Sequence, residues 1–288
     1  MTMRGAILRF FLNEDINFLV TNRLPRRFAT RLVGRIARIE HPLIARPCIA
    51  LWTFFAGVDL SDARTTRFRS LREGFVRPLR DGARPFDADP EVLASPCDAL
   101  VGAHGRIEDD LVYQIKGFPY RLGDLVPDPA LVERFRDGSF VTLRLTAGMY
   151  HRFHAPTDLA VVGVTYLSGD CWNVNPIALK RVERLFCRNE RAVIEARTLV
   201  SGLPLLIVPV AAILVASIRL HCLDTERTLR ERGPGRTACS ARVAKGEEMG
   251  WFEHGSTIIL FLPKGMRLSE MLTEGQAIRA GQAIGRLR

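Results

Sequence analysis

Near the start of the chain, apolar residues recur every four positions, at Leu24, Phe28, Leu32 and Ile36, and arginines run beside them at Arg23, Arg27, Arg31 and Arg35. On a helix this spacing stacks the apolar side chains into one stripe and lines its border with guanidinium groups. A second apolar stretch, Cys48 to Val58 with Trp52, Phe54 and Phe55, falls short of a spanning helix, which needs about 20 residues. Residues 71 to 92 are dense in Arg, Pro, Asp and Gly and read as loop. After Leu93 the texture changes. Short apolar segments alternate with turns at Leu100-Val101, Leu111 to Tyr113, Thr142 to Leu145, Leu159 to Tyr166 and Ala192 to Leu199. That alternation predicts a β-rich body, with helix near Leu122 to Arg136. The uncharged run from Leu203 is too short to cross a bilayer and holds Pro204 and Pro209, so it reads as buried strands with prolines at turns. The polar, Gly- and Arg-rich stretch His221 to Ala241 reads as a mobile loop. The expected class is α+β: a helical, membrane-associating region over residues 1–70, then a β-rich sandwich or barrel over 71–288.

Charge sharpens this picture. The formal charge is +10, and of 41 basic residues only Lys116, Lys180, Lys245 and Lys264 are lysines. Such a chain seeks polyanions, either nucleic acid or an anionic membrane surface. No RNA-binding aromatic signature or zinc-finger spacing accompanies the charge, which favours the membrane and speaks against nucleic acid. The six cysteines are scattered without a CxxC pair or metal-ligand spacing, so reduced thiols, no metal and a cytoplasmic compartment are expected. Glu14 and Asp15 interrupt the first apolar run, and no signal-peptide pattern is expected there.

Candidate chemistry lies near the C-terminus, in Trp251-Phe252-Glu253-His254-Gly255-Ser256-Thr257. Gly255 leaves its own carbonyl sterically open, and Ser256 places a hydroxyl one residue downstream that can attack it if a base is near. Four segments in order resemble the phosphatidylserine decarboxylase family, in its bacterial membrane-associated branch. They are Phe75 to Pro85 with Ser95-Pro96-Cys97-Asp98; Tyr150-His151-Arg152-Phe153-His154 with Gly169-Asp170 and Val174-Asn175-Pro176; Arg188-Asn189-Glu190-Arg191; and Lys245 to Gly250 with His254-Gly255-Ser256-Thr257. The likeness runs from about Asn22 to the last residue.

The resemblance implies that Ser256 attacks the Gly255 carbonyl, that His154 is the base, and that Asp98 orients its imidazole. Ester formation and β-elimination would then leave a β subunit, residues 1–255, and an α subunit, residues 256–288, starting with a pyruvoyl group. A pyruvoyl ketone is an electron sink, so no external cofactor is implied. His151, or His154 again, would protonate the product. The implied reaction converts phosphatidylserine to phosphatidylethanolamine and CO2 at the cytoplasmic face of the cell membrane, with peripheral attachment to anionic lipid. A homodimer of the αβ pair is a further expectation. A related serine phospholipid as substrate, or a non-catalytic membrane-binding module on the same scaffold, are the alternatives; nucleic-acid binding rests on charge alone.

The chain departs from the family pattern at three places. His254 stands where Leu is usual, Ala99 where Gly is usual, and Cys187 where Ala is usual. If position 99 requires positive φ, alanine there costs about 1 kcal/mol. Arg188 to Arg191 suits either a structural ion-pair network or contact with substrate phosphate or carboxylate. The tail Thr273 to Gly285 repeats a Gly-Gln-Ala-Ile unit and looks like the hairpin of biotinyl- and lipoyl-type sandwiches, without a lysine to modify.

Overall fold

The arginine-bordered stripe is helical from Arg26 to Ala37, while its first members, Arg23 and Leu24, lie outside the described residues. The computed structural model describes residues 14–18, 26–115, 118–212, 217–253 and 256–288. Its first elements are α1 (Glu14–Phe18), α2 (Arg26–Ala37), α3 (Pro42–Ala56) and α4 (Leu71–Phe75). Proline at the first turn of α3 and Gly57 in the left-handed region at its end set that helix's bounds. Strands β1 (Val92–Ala94), β2 (Ala99–Arg106), β3 (Leu111–Ile115) and β4 (Phe118–Arg121) come next. Helices α5 (Leu122–Leu125) and α6 (Pro129–Phe135) lead to β5 (Ser139–Leu145), β6 (Arg152–His154) and β7 (Leu159–Leu167). After α7 (Pro176–Leu179) and α8 (Leu185–Arg188) come β8 (Arg191–Thr198), β9 (Pro204–Ala211) and β10 (Ile218–Leu220). Helix α9 (Thr225–Arg232) precedes β11 (Gly235–Val243), β12 (Glu248–Phe252) and β13 (Ser256–Leu262). The chain closes on β14 (Arg267–Leu268), β15 (Ala277–Ile278) and β16 (Ala283–Arg286).

Among the described residues the main sheet has the order β11-β7-β8-β9-β13-β5-β2-β15 and is antiparallel. Every residue of β13 is buried, as a central strand covered on both faces requires. Alternation along the strand then feeds two cores. Ile258 and Leu260 pack with Phe153 of β6, Phe252 of β12, Leu93 of β1 and Ile284 of β16. Those partners belong to two small sheets, β10-β12-β6 and β1-β16-β14, which cover that face. Ile259 and Phe261 pack on the opposite side with Leu122, Leu125, Phe135, Leu185 and Phe186, so the short helices cover the second face. The result is an α+β architecture in which a broad sheet lies between small sheets and helices.

Three expectations change. Pro209 lies within β9 rather than at a turn, opposite Ile258 of β13. On its other side the β8–β9 ladder runs from Arg191↔Val210 to Ile194↔Ile207 without pairing Pro209, so the missing N–H breaks no bond of that ladder. The stretch His221 to Ala241 is ordered: Asp224 caps α9 by accepting from the Arg227 N–H, and β11 pairs along β7 as the edge strand of the main sheet. An edge strand whose exposed positions carry Gly, Arg, Ala and Ser shows little apolar signal and resembles a loop in the sequence. Ala99 is buried and paired with Ile278, and outside glycine only Asp109, Asp110 and Arg184 among the described residues have positive φ, so the anticipated strain does not arise. In the tail, the two Ala-Ile repeats enter different sheets: β15 pairs with β2, and β16 with β1 and β14.

Candidate active site

Ser256 opens β13 between Leu145 of β5 and Ala211 of β9 and is fully buried. Its Oγ has no hydrogen-bond partner among the described residues. A buried hydroxyl left unpaired costs about 1–3 kcal/mol, so its presence in the central strand calls for a reason. His254 and Gly255, the other two residues of the expected cleavage site, lie outside the described residues.

Two histidines sit at the ends of the short segment His151 to His154, which β12 holds through Trp251↔Arg152 and Glu248↔His154. The His154 imidazole lies between two partners. Its Nδ1 is 2.9 Å from the Gly246 carbonyl and its Nε2 is 3.0 Å from the Tyr150 hydroxyl. A carbonyl only accepts, so Nδ1 carries the proton and Nε2 accepts from Tyr150. Gly246 holds φ at +82°, and a Cβ there would come 3.0 Å from the Phe86 ring; glycine thus lets this carbonyl reach the imidazole. Burial pushes the His154 pKa below the usual imidazole value, against the Gly246 hydrogen bond and the charges of Glu248 and Asp98. Burial pushes the Tyr150 phenol up, so it stays protonated and donates.

Asp98 follows β1 in the loop that enters β2 and is 8% exposed. Its carboxylate accepts from Arg84 through both oxygens, at 2.8 and 2.6 Å, and from the Ala280 N–H at 2.9 Å. Arg84 also donates to Asp62 at 2.8 Å. Asp98 therefore reaches His154 through its field, while the Gly246 carbonyl sets the tautomer. His151 is fully buried; its Nδ1 donates to the Met149 carbonyl at 2.8 Å and its ring lies 4.6 Å from Phe75. The His151 carbonyl accepts from Phe252 N at 2.9 Å, which places this residue toward the Ser256 end of β12 and His154 toward the Glu248 end.

Sequence reasoning assigned no role to Glu253, Arg84, Tyr150 or Gly246. Glu253 is 7% exposed and gathers Arg38 at 3.0 Å, Arg72 at 2.8 Å and Arg219 at 3.7 Å. Burial pushes its carboxyl up, but the hydrogen bonds from Arg72 and Arg38 outweigh this and hold it low. The cluster ties α2 and α4 to the residue just before His254. Its partners lie 215 and 181 positions upstream, so nothing local in the sequence announces it. Arg191, placed in an ion-pair or substrate role, donates instead to the carbonyls of Leu125, Cys187, Asn189 and Asp124 and braces α5 and α8. Among the described residues no His, Cys, Asp or Glu cluster has the grouping to hold a metal ion.

The family model described as phosphatidylserine decarboxylase matches residues 71–286. The chain is 37% identical over 275 residues to a protein of Halorhodospira halophila named phosphatidylserine decarboxylase proenzyme, covering 92% of this chain and 91% of that protein. A protein of the same name from Erwinia tasmaniensis is 36% identical over 283 residues, covering 94% of each chain. One from Escherichia coli is 35% identical over 273 residues, 91% of this chain and 84% of that protein.

Proposed function

This chain belongs to the phosphatidylserine decarboxylase family, and from that premise we propose that it cuts itself between Gly255 and Ser256 and works through a pyruvoyl group left at former Ser256. It is a decarboxylase of phosphatidylserine made as a proenzyme, as its relatives are named. The observation that carries the mechanism is the buried, unpartnered Ser256 hydroxyl at the head of the central strand. Among the described residues no hydrogen bond holds that oxygen, so a position that will lose its hydroxyl fits the surroundings better than a permanent serine.

The Ser256 proton passes to Nε2 of His154 as the Tyr150 hydroxyl turns away, and Oγ attacks the Gly255 carbonyl carbon. The C–N bond breaks as its nitrogen takes that proton, leaving Gly255 esterified to Oγ. A base then removes the Cα proton of residue 256, the Cβ–O bond breaks, and Gly255 departs as a carboxylate. Water displaces the remaining nitrogen as ammonia and leaves a ketone. The products are a β subunit, residues 1–255, and an α subunit, residues 256–288. Bound as part of the chain, the ketone supplies the electron sink for loss of CO2. His154, held by Gly246, moves the protons of cleavage; Asp98 supplies negative charge that favours the imidazolium as it forms. His151, already buried and fixed by Met149, delivers a proton to the product carbon.

The depressed His154 pKa gives a pH prediction. The ring stays neutral somewhat below its usual value of 6.5, so cleavage proceeds unslowed through that pH and falls only below it. Tyr150 donates to the neutral ring and so favours it; Tyr150→Phe removes that support and shifts the acid limb to higher pH. Gel-resolved cleavage rates across a pH series read the shift, and coincident limbs in the two proteins would contradict the assignment.

Membrane attachment has its own support. Phe28 and Leu32 on α2, and Leu43, Ile44, Leu51, Phe54 and Phe55 on α3, are all exposed, up to 80% at Leu43. No helix among the described residues is long and apolar enough to cross a membrane. Peripheral attachment through this face, on the cytoplasmic side, is part of the proposal. Changing Leu51 and Phe55 together to glutamate is expected to lower binding to anionic vesicles at least about tenfold, since each buried side chain is worth about 1.5–3 kcal/mol. Flotation measures it, with chain cleavage unaffected. The function itself is tested by CO2 release from carboxyl-labelled phosphatidylserine in mixed micelles; a fully cleaved protein that releases none would overturn it.

A further inference from the structure

A cavity of about 590 Å³ lies between α2, α4, α9 and the body of the protein. Two residues of its wall are linked to the processed position. Glu253, on one side, precedes His254; Glu190, on another, accepts through its backbone from Ala211, the β9 neighbour of Ser256. Arg31, Arg35, Arg38, Arg72 and Arg219 all line the space. Three of these are already engaged, because Arg38, Arg72 and Arg219 converge on Glu253, and Arg219 also pairs with Glu226 at 2.7 Å. Arg31 and Arg35 are not. Neither guanidinium has a hydrogen bond or ion pair among the described residues, and both residues are exposed at the rim. The Glu190 carboxyl accepts from Tyr166, and burial pushes its pKa up.

We propose that Arg31 and Arg35 bind the phosphodiester of the lipid substrate at the mouth of this cavity and so hold its serine headgroup toward residue 256. The assignment rests on the decarboxylase reading above and adds the residues that select the substrate's phosphate. Arginines four positions apart on a helix project side by side, and two planar forks suit the oxygens of one phosphate. The apolar stripe of the same helix supplies the geometry. Phe28 and Leu32 are exposed at 64% and 43%, so α2 offers a bilayer its apolar side and the cavity its arginines. A lipid drawn over this helix keeps its acyl chains beside Phe28 and Leu32 while its phosphate meets Arg31 and Arg35. Loose arginines serving only a charged membrane surface would have no reason to line a cavity that Glu253, three residues before Ser256, also lines.

The test compares wild type with Arg31→Gln/Arg35→Gln, using phosphatidylserine in neutral detergent micelles and soluble glycerophosphoserine, which has no acyl chains. KM is expected to rise about tenfold or more for both substrates, with kcat and the cleaved fraction little changed. The Arg31→Lys/Arg35→Lys protein should recover part of the loss, because charge returns without the planar fork. Inorganic phosphate should compete with glycerophosphoserine in the wild type and less so in the glutamine variant. An unchanged KM for glycerophosphoserine with a raised KM for the lipid would place these arginines on the membrane surface alone and overturn the proposal. Unchanged values for both would overturn it as well. A wild type that does not cleave or release CO2 would instead refute the decarboxylase reading, and this assignment with it.

Discussion

His154→Ala is expected to leave nearly all of the chain uncleaved, with scission slowed about 10²- to 10⁴-fold, the usual contribution of a positioned base. The expectation follows from the ring's surroundings. Its Nδ1 proton is committed to the Gly246 carbonyl, so Nε2 carries the lone pair, and burial keeps that lone pair unprotonated at neutral pH. No other imidazole in the described site has the same freedom to act, since the His151 ring is fully buried beside Phe75. His151→Ala therefore gives the complementary result: a cleaved chain that releases little CO2. Added imidazole should restore part of the scission in His154→Ala, because the ring is only partly buried and its removal leaves room for a small base. Scission of His154→Ala at the wild-type rate would remove His154 from the mechanism.

Arg84→Ala is expected to destabilise the protein by about 3–5 kcal/mol, the cost of stripping a buried carboxylate of its partner. Both side chains of the Arg84–Asp98 pair are only 11% exposed, and the pair is bidentate. Its hydrogen bonds raise the Arg84 pKa further above its usual range, so the guanidinium stays charged throughout. Without it Asp98 retains only the Ala280 N–H. Thermal unfolding should drop by roughly 10 °C. The double variant Arg84→Met/Asp98→Leu should regain most of that stability, since it removes both charges together. A loss of less than about 1 kcal/mol in Arg84→Ala would mean that water reaches Asp98 and the pair is not truly buried.

What could be read in advance depended on how local each signal was. The helical stripe at Phe28 and Leu32, and strands such as β7 and β8, follow from periodicity within a single segment. Strand β11 escaped because an edge strand with polar exposed positions resembles a loop, and Pro209 because only its place in the ladder shows that its missing N–H is harmless. Ordered motifs nominate Asp98, His151, His154 and Ser256 but not the partners that surround them. Motifs name residue types without saying where side chains point. Arg84 lay within a quoted segment, and nothing in that segment said it would take up the Asp98 carboxylate and leave the imidazole to Gly246 and Tyr150. Glu253 and its arginines meet only through folding across most of the chain. Long-range ion pairs of that kind are set by topology, and one sequence does not display it.

The central claim, that Ser256 cuts the chain and becomes the reactive group, is tested most directly by intact-protein mass spectrometry of wild type beside Ser256→Ala. The account predicts two wild-type pieces, residues 1–255 and 256–288, the smaller lacking a free amine at its start because a ketone replaces it. It predicts one unbroken chain for Ser256→Ala. A folded wild type that stays whole, with Ser256 unmodified, would contradict it.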